Sequence, residues 1–339
     1  MIILADNLDF PSKWDDLLES SNGNPIYSYK QIEYYKSLSK QRLLKDYSFI
    51  LAGEDGCPLI GIAAQMFNSP ETNDSFVSYF GNPALLLSSK KASTNTLAFA
   101  SSKFVHKLSE NGFFTELSKS LFTIKVYSDL FNFSDSSLAE SIMNLSTSST
   151  TSYERIIDLS NNQNEIYRGL SKSVKAAIKN RDKGNYSSHT FVIDQNSDRV
   201  DIELSMQKLR DLHFKSAGRL TRNTRSWEIQ EKLIREGSAV LFLGQINDEV
   251  VHASFFLRTK TKSYYGVSAN KIFKNISTSH SYIYDAILYL KAIGINELYM
   301  GEQYENLVRE IDKKTLNISK FKSFFGGKLL PSMIFTKHS

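Results

Sequence analysis

Cysteine is nearly absent from this chain, with Cys57 the single one in 339 residues. That excludes an internal disulfide framework and any multi-thiolate metal site. Cys57 lies in the run Asp55-Gly56-Cys57-Pro58, a hairpin-turn setting, and reads as a surface thiol rather than a nucleophile. Also missing is any apolar run near the roughly 18 residues that a spanning helix needs. The opening MIILADNLDF has neither the basic start nor the long apolar core of a signal peptide, so the expected location is the cytoplasm. There is no glycine-rich phosphate loop of the P-loop or dinucleotide-binding type, no His-x-x-x-His zinc pair and no Gly-x-Ser-x-Gly elbow. The sequence calls for no metal, no redox cofactor and no tightly bound cofactor of any kind.

What is present suits a globular protein able to bury substantial cores, with 41% apolar and 23% charged residues. The length fits two domains of roughly 150 residues each. The net charge of +5 is modest, but its distribution is uneven. Arg168, Lys172, Lys175, Lys179, Arg181 and Lys183 follow one another with almost no acid between them, a cluster suited either to phosphates or to a solvated helix face.

The first third reads as two helices, a hairpin, a strand, a helix and a strand. Ser12 is placed to cap a helix carrying Trp14, Leu17 and Leu18, and a second helix runs through Tyr29, Ile32, Tyr35 and Leu38. A hairpin over 47–67 turns at Glu54-Asp55-Gly56. A strand at 75–80 runs into Gly81-Asn82-Pro83, where regular structure breaks and a ligand can meet bare backbone. The stretch 145–152, LSTSSTTS, is small, polar and aperiodic, as an inter-domain linker would be. Beyond it come a strand at 153–159, a helix at 164–180, a strand at 189–194, and helices at 200–216 and 226–236. A three-stranded meander over 239–267 is followed by a helix at 279–292 and a strand at 297–300.

Four stretches of the second half form a recognisable pattern: Gly169-Leu170-Ser171-Lys172-Ser173-Val174-Lys175-Ala176-Ala177-Ile178-Lys179, Ser216-Ala217-Gly218-Arg219-Leu220-Thr221-Arg222, Tyr264-Tyr265-Gly266-Val267-Ser268-Ala269 with Ser279-His280-Ser281, and Ile318-Ser319-Lys320-Phe321-Lys322-Ser323-Phe324-Phe325-Gly326-Gly327. With these the chain resembles the Fem family of peptidoglycan bridge-forming aminoacyltransferases and related GNAT-like proteins, in its compact form without the helical arm. The order meander, helix, strand, helix is likewise that of a GNAT core. Met300-Gly301-Glu302-Gln303-Tyr304 stands where Fem enzymes tend to carry Asp-Gly-Gly, and is similar to the branch associated with polysaccharide genes. The resemblance implies an α/β (α+β) chain with two GNAT-like domains in tandem, mixed sheets flanked by helices. The domains are expected at 1–150, on the acceptor side, and 151–329, on the donor and catalytic side, with 330–339 packing back onto the first. It also implies an N-acyltransferase that moves an aminoacyl group from aminoacyl-tRNA, or an acyl group from acyl-CoA, to an amine. The acceptor would be a small-molecule or lipid-linked cell-envelope precursor such as an amino-sugar nucleotide or a muropeptide. No Arg/Gln-x-x-Gly-x-Gly/Ala loop of the acyl-CoA type is found, which favours aminoacyl-tRNA as donor.

Acyl transfer to an amine passes through an oxyanion that needs a fixed cation or donor. Lys322, flanked by Phe321 and Phe324-Phe325, is the candidate, and it matches the Fem lysine implicated in that role. The amine must also lose a proton, for which Glu302 and His280 are the candidate bases. Arg219 and Arg222, in an inter-helix loop, suit capture of phosphate or carboxylate, and Arg222 aligns with a substrate-contacting arginine of the family. Phe321, Tyr265, Lys30, Gly81 and Asn82 complete the expected substrate contacts. Lys172, Lys175 and Lys179, at helical spacing, are the expected donor-phosphate track. His213 shares a helical stripe with Leu209 and Leu212 and is expected to pack. The competing expectation is a catalytically silent tandem GNAT module that binds a ligand in surface-polysaccharide biosynthesis. Convergence of Lys322 and Glu302 favours catalysis; opposite, solvent-facing placement favours binding.

Overall fold

The computed structural model describes residues 1–38, 42–68, 75–80, 82–127, 137–183, 187–220, 222–273, 279–304 and 311–337. The chain divides into two compact units, Met1–Ser152 with Pro331–Ser339, and Tyr153–Leu330.

In the first unit, β1 (Ile2–Leu4) leads to α1 (Phe10–Glu19), short 3-10 turns and α2 (Ile32–Leu38). Asp9, not Ser12, stands at the N-cap of α1, and the Ser12 hydroxyl donates back to the Asp9 carbonyl at 3.0 Å from inside the first turn. Pro11 is the reason: its fixed φ suits the opening turn of a helix, so α1 starts ahead of Ser12. Then follow β2 (Arg42–Asp46), β3 (Phe49–Ala52), β4 (Pro58–Ala63), β5 (Gln65–Asn68), β6 (Ser75–Ser78), β7 (Ala84–Ser88), α3 (Thr94–Glu110), α4 (Phe113–Leu117), β8 (Leu121–Tyr127) and α5 (Ser137–Leu145). Strands β1-β3-β4-β7-β8 lie in that order, with β6 also parallel to β8. Phe49, Ile62, Leu86, Ile124 and Val126 bury one face of this sheet against Phe104 and Leu108 of α3, with Phe113 of α4, as period-two side chains meeting a helical stripe should. The opposite face takes α1, whose Leu17 fills the space left by Gly61.

The second unit holds β9 (Ser148–Asp158) from Tyr153 onward, α6 (Gln163–Gly169), α7 (Lys172–Lys183), β10 (Ser188–Ile193), α8 (Arg199–Ala217), α9 (Thr224–Arg235), β11 (Ala239–Ile246), β12 (Glu249–Arg258), β13 (Lys262–Asn270), α10 (Ser279–Ala292), β14 (Glu297–Gln303) and α11 (Lys313–Ser323). Its sheet order is β9-β14-β13-β12-β11-β10, antiparallel except for β13 with β14. Phe242, Phe256, Ile283, Ile287, Leu298 and Phe325 form its core. The final strand, β15 (Lys328–Lys337), pairs with β8 of the first unit, Ser332 opposite Tyr127 and Lys337 opposite Phe122.

Three expectations need correction. The aperiodic stretch 145–152 is largely regular, since Leu145 ends α5 and β9 begins at Ser148, because threonines and serines satisfy a ladder as well as they do a loop; the two units divide at its end, after Ser152. The helix expected at 164–180 is two helices, α6 and α7, separated at Leu170, whose extended backbone ends the first. Arg181 does not belong to a solvent-facing stripe: its Nη2 donates to Asp285 Oδ1 of α10 at 2.9 Å and its Nη1 to Oδ2.

Candidate functional site

The most elaborated part of the second unit is the corner where α11 meets β14. A positive-φ pair, Gly326 (φ 77°) and Gly327 (φ 82°), follows α11. A Cβ on Gly326 would stand 2.7 Å from the Gly169 carbonyl oxygen, and one on Gly327 only 2.4 Å from that of Ile156, so this turn admits no side chain. Arg155 on β9 pins it, Nη1 donating to the Gly326 carbonyl at 2.9 Å and Nε to Gln303 Oε1 at 2.8 Å. Gln303 in turn donates to the Ser319 carbonyl at 3.2 Å, and the Ser319 hydroxyl accepts from the Tyr304 N–H at 3.1 Å. The end of α11 is thus tied to β14 on both sides.

Lys322 points from α11 onto β14, its Nζ donating to the Glu302 carbonyl at 3.4 Å. Burial holds its ammonium below the ordinary lysine value, while the charges of Glu302 and Glu154 pull it back up. Gly301 makes the space for it. Its φ is +88°, and a Cβ there would lie 2.9 Å from Lys322 Nζ and 3.2 Å from the Tyr264 hydroxyl. The ladder between β9 and β14 slips between Tyr299 and Gly301, a bulge that turns the strand at this residue. Glu302 is therefore on the strand and not beyond its end as expected, because β14 continues to Gln303. Its carboxylate accepts a hydrogen bond from the Tyr304 hydroxyl. Strands β13 and β14 are joined only from Lys262 opposite Glu297 to Tyr264 opposite Tyr299. Beyond those residues β13 keeps its pairing with β12 and β14 its pairing with β9.

The aromatic candidates sort by face. Tyr265 packs on the core beside Phe256, ring centroids 5.3 Å apart, and burial pushes its hydroxyl up to about 12. Tyr264, its neighbour on the strand, is the one whose hydroxyl lies at Gly301. Phe321 stacks on His280 at 5.4 Å, and Phe324 and Phe325 complete a cluster around that imidazole at 5.7 and 6.0 Å. Burial holds His280 below the ordinary histidine value.

Arg222 extends over the Trp227 ring at 5.4 Å and its Nη1 meets His213 Nε2 at 3.1 Å. Burial and that guanidinium hold His213 below the ordinary histidine value. Arg219 is exposed on the same loop. On α7, Lys172 and Lys179 are exposed, whereas Lys175 lies over Tyr167 and donates to the Arg168 carbonyl at 2.9 Å. In the first unit Lys30 is exposed beside Asp15, whose carboxyl burial lifts to about 6 although it accepts the Tyr29 N–H. Asn82 forms a backbone bridge with Tyr79, and Gly81 lies outside the described residues. Glu154 and Arg155 escaped sequence reasoning, whereas Gly301 and Tyr264 stand in motifs already visible in the sequence. Among the described residues no group of three or more His, Cys, Asp or Glu is placed to hold a metal, and no helix is long and apolar enough to cross a membrane.

No family model matches this sequence, and no curated protein matches it significantly. Solved structures do. The crystal structure of FemX superposes with a TM-score of 0.67 at 14% identity, covering 96% of each chain. The chain has the FemX fold. L-PGS from Bacillus licheniformis matches with a TM-score of 0.54 at 12% identity, over 96% of this chain and 91% of that one. The C-terminal domain of a putative lysylphosphatidylglycerol synthetase from Agrobacterium fabrum matches with a TM-score of 0.54 at 9% identity, over 86% and 84%. At these identities the likeness is one of fold, a mixed α/β chain of sheets flanked by helices, and the corner at Lys322 belongs to the second unit of that FemX-like fold.

Proposed function

We propose that this protein is an acyltransferase that moves an aminoacyl group from aminoacyl-tRNA, or an acyl group from acyl-CoA, onto an amine of a cell-envelope precursor such as an amino-sugar nucleotide or a muropeptide. The observation that carries this reading is the convergence of Lys322 and Glu302 at one corner, with Lys322 Nζ held 3.4 Å from the Glu302 carbonyl beside a side-chain-free Gly301. A silent binding module has no need of a half-buried lysine kept clear by a glycine at a backbone angle that other residues avoid.

In the reaction the acceptor nitrogen attacks the acyl carbonyl carbon, and the carbonyl oxygen becomes an oxyanion. Lys322 supplies the fixed cation where that charge develops. Collapse breaks the bond to the ribose oxygen or the coenzyme sulfur, and the leaving atom takes the proton that the amine loses. Main-chain groups past Tyr264 and Tyr299, where β13 and β14 stop pairing, would meet an extended, amide-bearing donor. Arg222, rigidly laid on Trp227, suits a phosphate of either substrate. Lys172 and Lys179 add an exposed basic edge for a polyanionic donor. The similarity to a structure described as a putative lysylphosphatidylglycerol synthetase supports a place for lipid-linked acceptors in the same class.

The test is a donor assay. The protein is incubated with aminoacyl-tRNA, with or without ribonuclease, and separately with acetyl-CoA, against amino-sugar nucleotides and a UDP-linked muramyl pentapeptide, and the acceptors are weighed by mass spectrometry. A ribonuclease-sensitive gain of one amino-acid residue supports the tRNA donor, and an acetyl gain with free thiol supports the coenzyme. Binding of an acceptor without any transfer would overturn the catalytic reading.

A further inference from the structure

Arg155 on β9 stands directly opposite Gly301 on β14, the residue whose missing side chain leaves room for Lys322. Its guanidinium is a planar fork of donors with no acceptor, and two arms of that fork are used. Nε donates to Gln303 Oε1 at 2.8 Å, while Nη1 donates to the Gly326 carbonyl at 2.9 Å and reaches the Gly327 carbonyl at 3.5 Å. With its oxygen turned to Arg155, the Gln303 amide presents Nε2 on its other side. That nitrogen donates to the Ser319 carbonyl of α11 at 3.2 Å and to the Glu302 carbonyl at 3.4 Å. The Glu302 carbonyl is also the acceptor for Lys322 Nζ, at 3.4 Å. Hydrogen bonds therefore run without a gap from Arg155 to the atom that Lys322 touches.

We infer that Arg155 is a positioning residue that grips α11 on both sides of Lys322, at Ser319 through Gln303 and at Gly326 directly, and so sets the ammonium beside Gly301. Lys322 does not hold itself there. A 3.4 Å bond lies at the long edge of the hydrogen-bond range and fixes little, so the place of the ammonium follows from the place of the helix. The corner has other anchors for its fold. Phe325 is buried in the core, and the Ser171 N–H donates to the Phe324 carbonyl at 2.8 Å, contacts that keep the end of α11 docked without the guanidinium. What Arg155 adds is alignment. A lysine in its place would be a point charge, without the fixed fork that spans Gln303 and Gly326 together. The use made of Lys322 rests on the acyltransferase reading; its placement by Arg155 does not.

The experiment reads Lys322 with no donor or acceptor present. The intact protein is labelled with a trace of acetic anhydride over a range of pH, and the rate at each lysine is followed by peptide mass spectrometry. Lys320, exposed on the same helix, and Lys172 and Lys179 on α7 serve as references. In the unsubstituted protein burial holds the Lys322 midpoint below theirs. Arg155→Lys keeps the charge and loses the fork, and Gln303→Met removes the link without changing any charge. Both leave Glu302 and Glu154, which also act on that ammonium, in place. Each is expected to release Lys322 towards solvent and move its midpoint up by about half a pH unit or more, while the reference profiles stay unchanged. A folded variant of either kind whose Lys322 profile coincides with that of the unsubstituted protein overturns the inference, whatever its melting temperature. If Arg155→Lys does not fold, Gln303→Met decides alone. Failure of the acyltransferase reading is a different outcome, transfer that survives the loss of Lys322.

Discussion

Gly301 and Lys322 are matched: the place a Cβ would occupy on Gly301 lies 2.9 Å from the lysine Nζ, at a backbone φ of +88°. Gly301→Ala is therefore expected to act twice. The left-handed backbone costs about 1–2 kcal/mol for any residue with a Cβ, which lowers the melting temperature. The methyl group also evicts the ammonium, so that transfer falls further than the stability loss explains. Retained transfer in a folded Gly301→Ala protein would separate Lys322 from the chemistry.

Acid should destabilise the fold through its histidines. His252 is wholly buried on β12, stacked on Tyr282 with centroids 5.6 Å apart, and burial takes it from the ordinary 6.5 down to about 3. His213 and His280 are lowered in the same direction. The unfolded chain takes up these protons below the ordinary value and the folded chain does not, so the histidine contribution to stability is lost as pH falls below about 6.5. For His252 the loss runs at about 1.4 kcal/mol per pH unit, while Asp15, lifted to about 6, works in the opposite sense below pH 6. Urea unfolding of the unsubstituted protein and of His252→Gln, compared between about pH 7.5 and about pH 4.5, should differ in slope by about one proton's worth.

Much of the architecture was legible because it is written in short-range patterns. The helix at 279–292 coincides with α10, since an apolar stripe ends cleanly before Gly294. The meander over 239–267 is found, with each strand running a little further than its apolar core. Lys322 was legible as a lysine set between phenylalanines. Its partners were not. That Glu154 faces Glu302, or that Tyr264 and not Tyr265 reaches Gly301, follows from ladder register and from bulges beside Phe256 and Gly301, and register is a tertiary fact. Arg181 looked like one member of a basic stripe because its partner, Asp285, lies 104 residues away.

That ion pair is expected to matter for stability. Arg181 and Asp285 are about four-fifths buried and meet through two hydrogen bonds, with Thr190 adding a third to the carboxylate. Asp285→Ala leaves a largely buried guanidinium without this carboxylate and should cost about 2 kcal/mol in urea unfolding. A change within about 0.5 kcal/mol would mean that solvent replaces the carboxylate freely.

The exposed lysines of α7 should act at a distance from the chemistry. Lys172→Glu with Lys179→Glu is expected to weaken binding of tRNA and to flatten its salt dependence by about two charges' worth, while leaving the melting temperature unchanged. An unaltered salt slope would assign this face to solvent.

Lys322→Ala tests the central claim most directly, in single-turnover transfer with whichever donor the mass assay selects. The expected result is a fall in the transfer rate of roughly 10²–10³-fold, with acceptor binding and melting temperature close to those of the unsubstituted protein. A rate within twofold of the original would contradict the account, because the oxyanion would then be stabilised without the lysine.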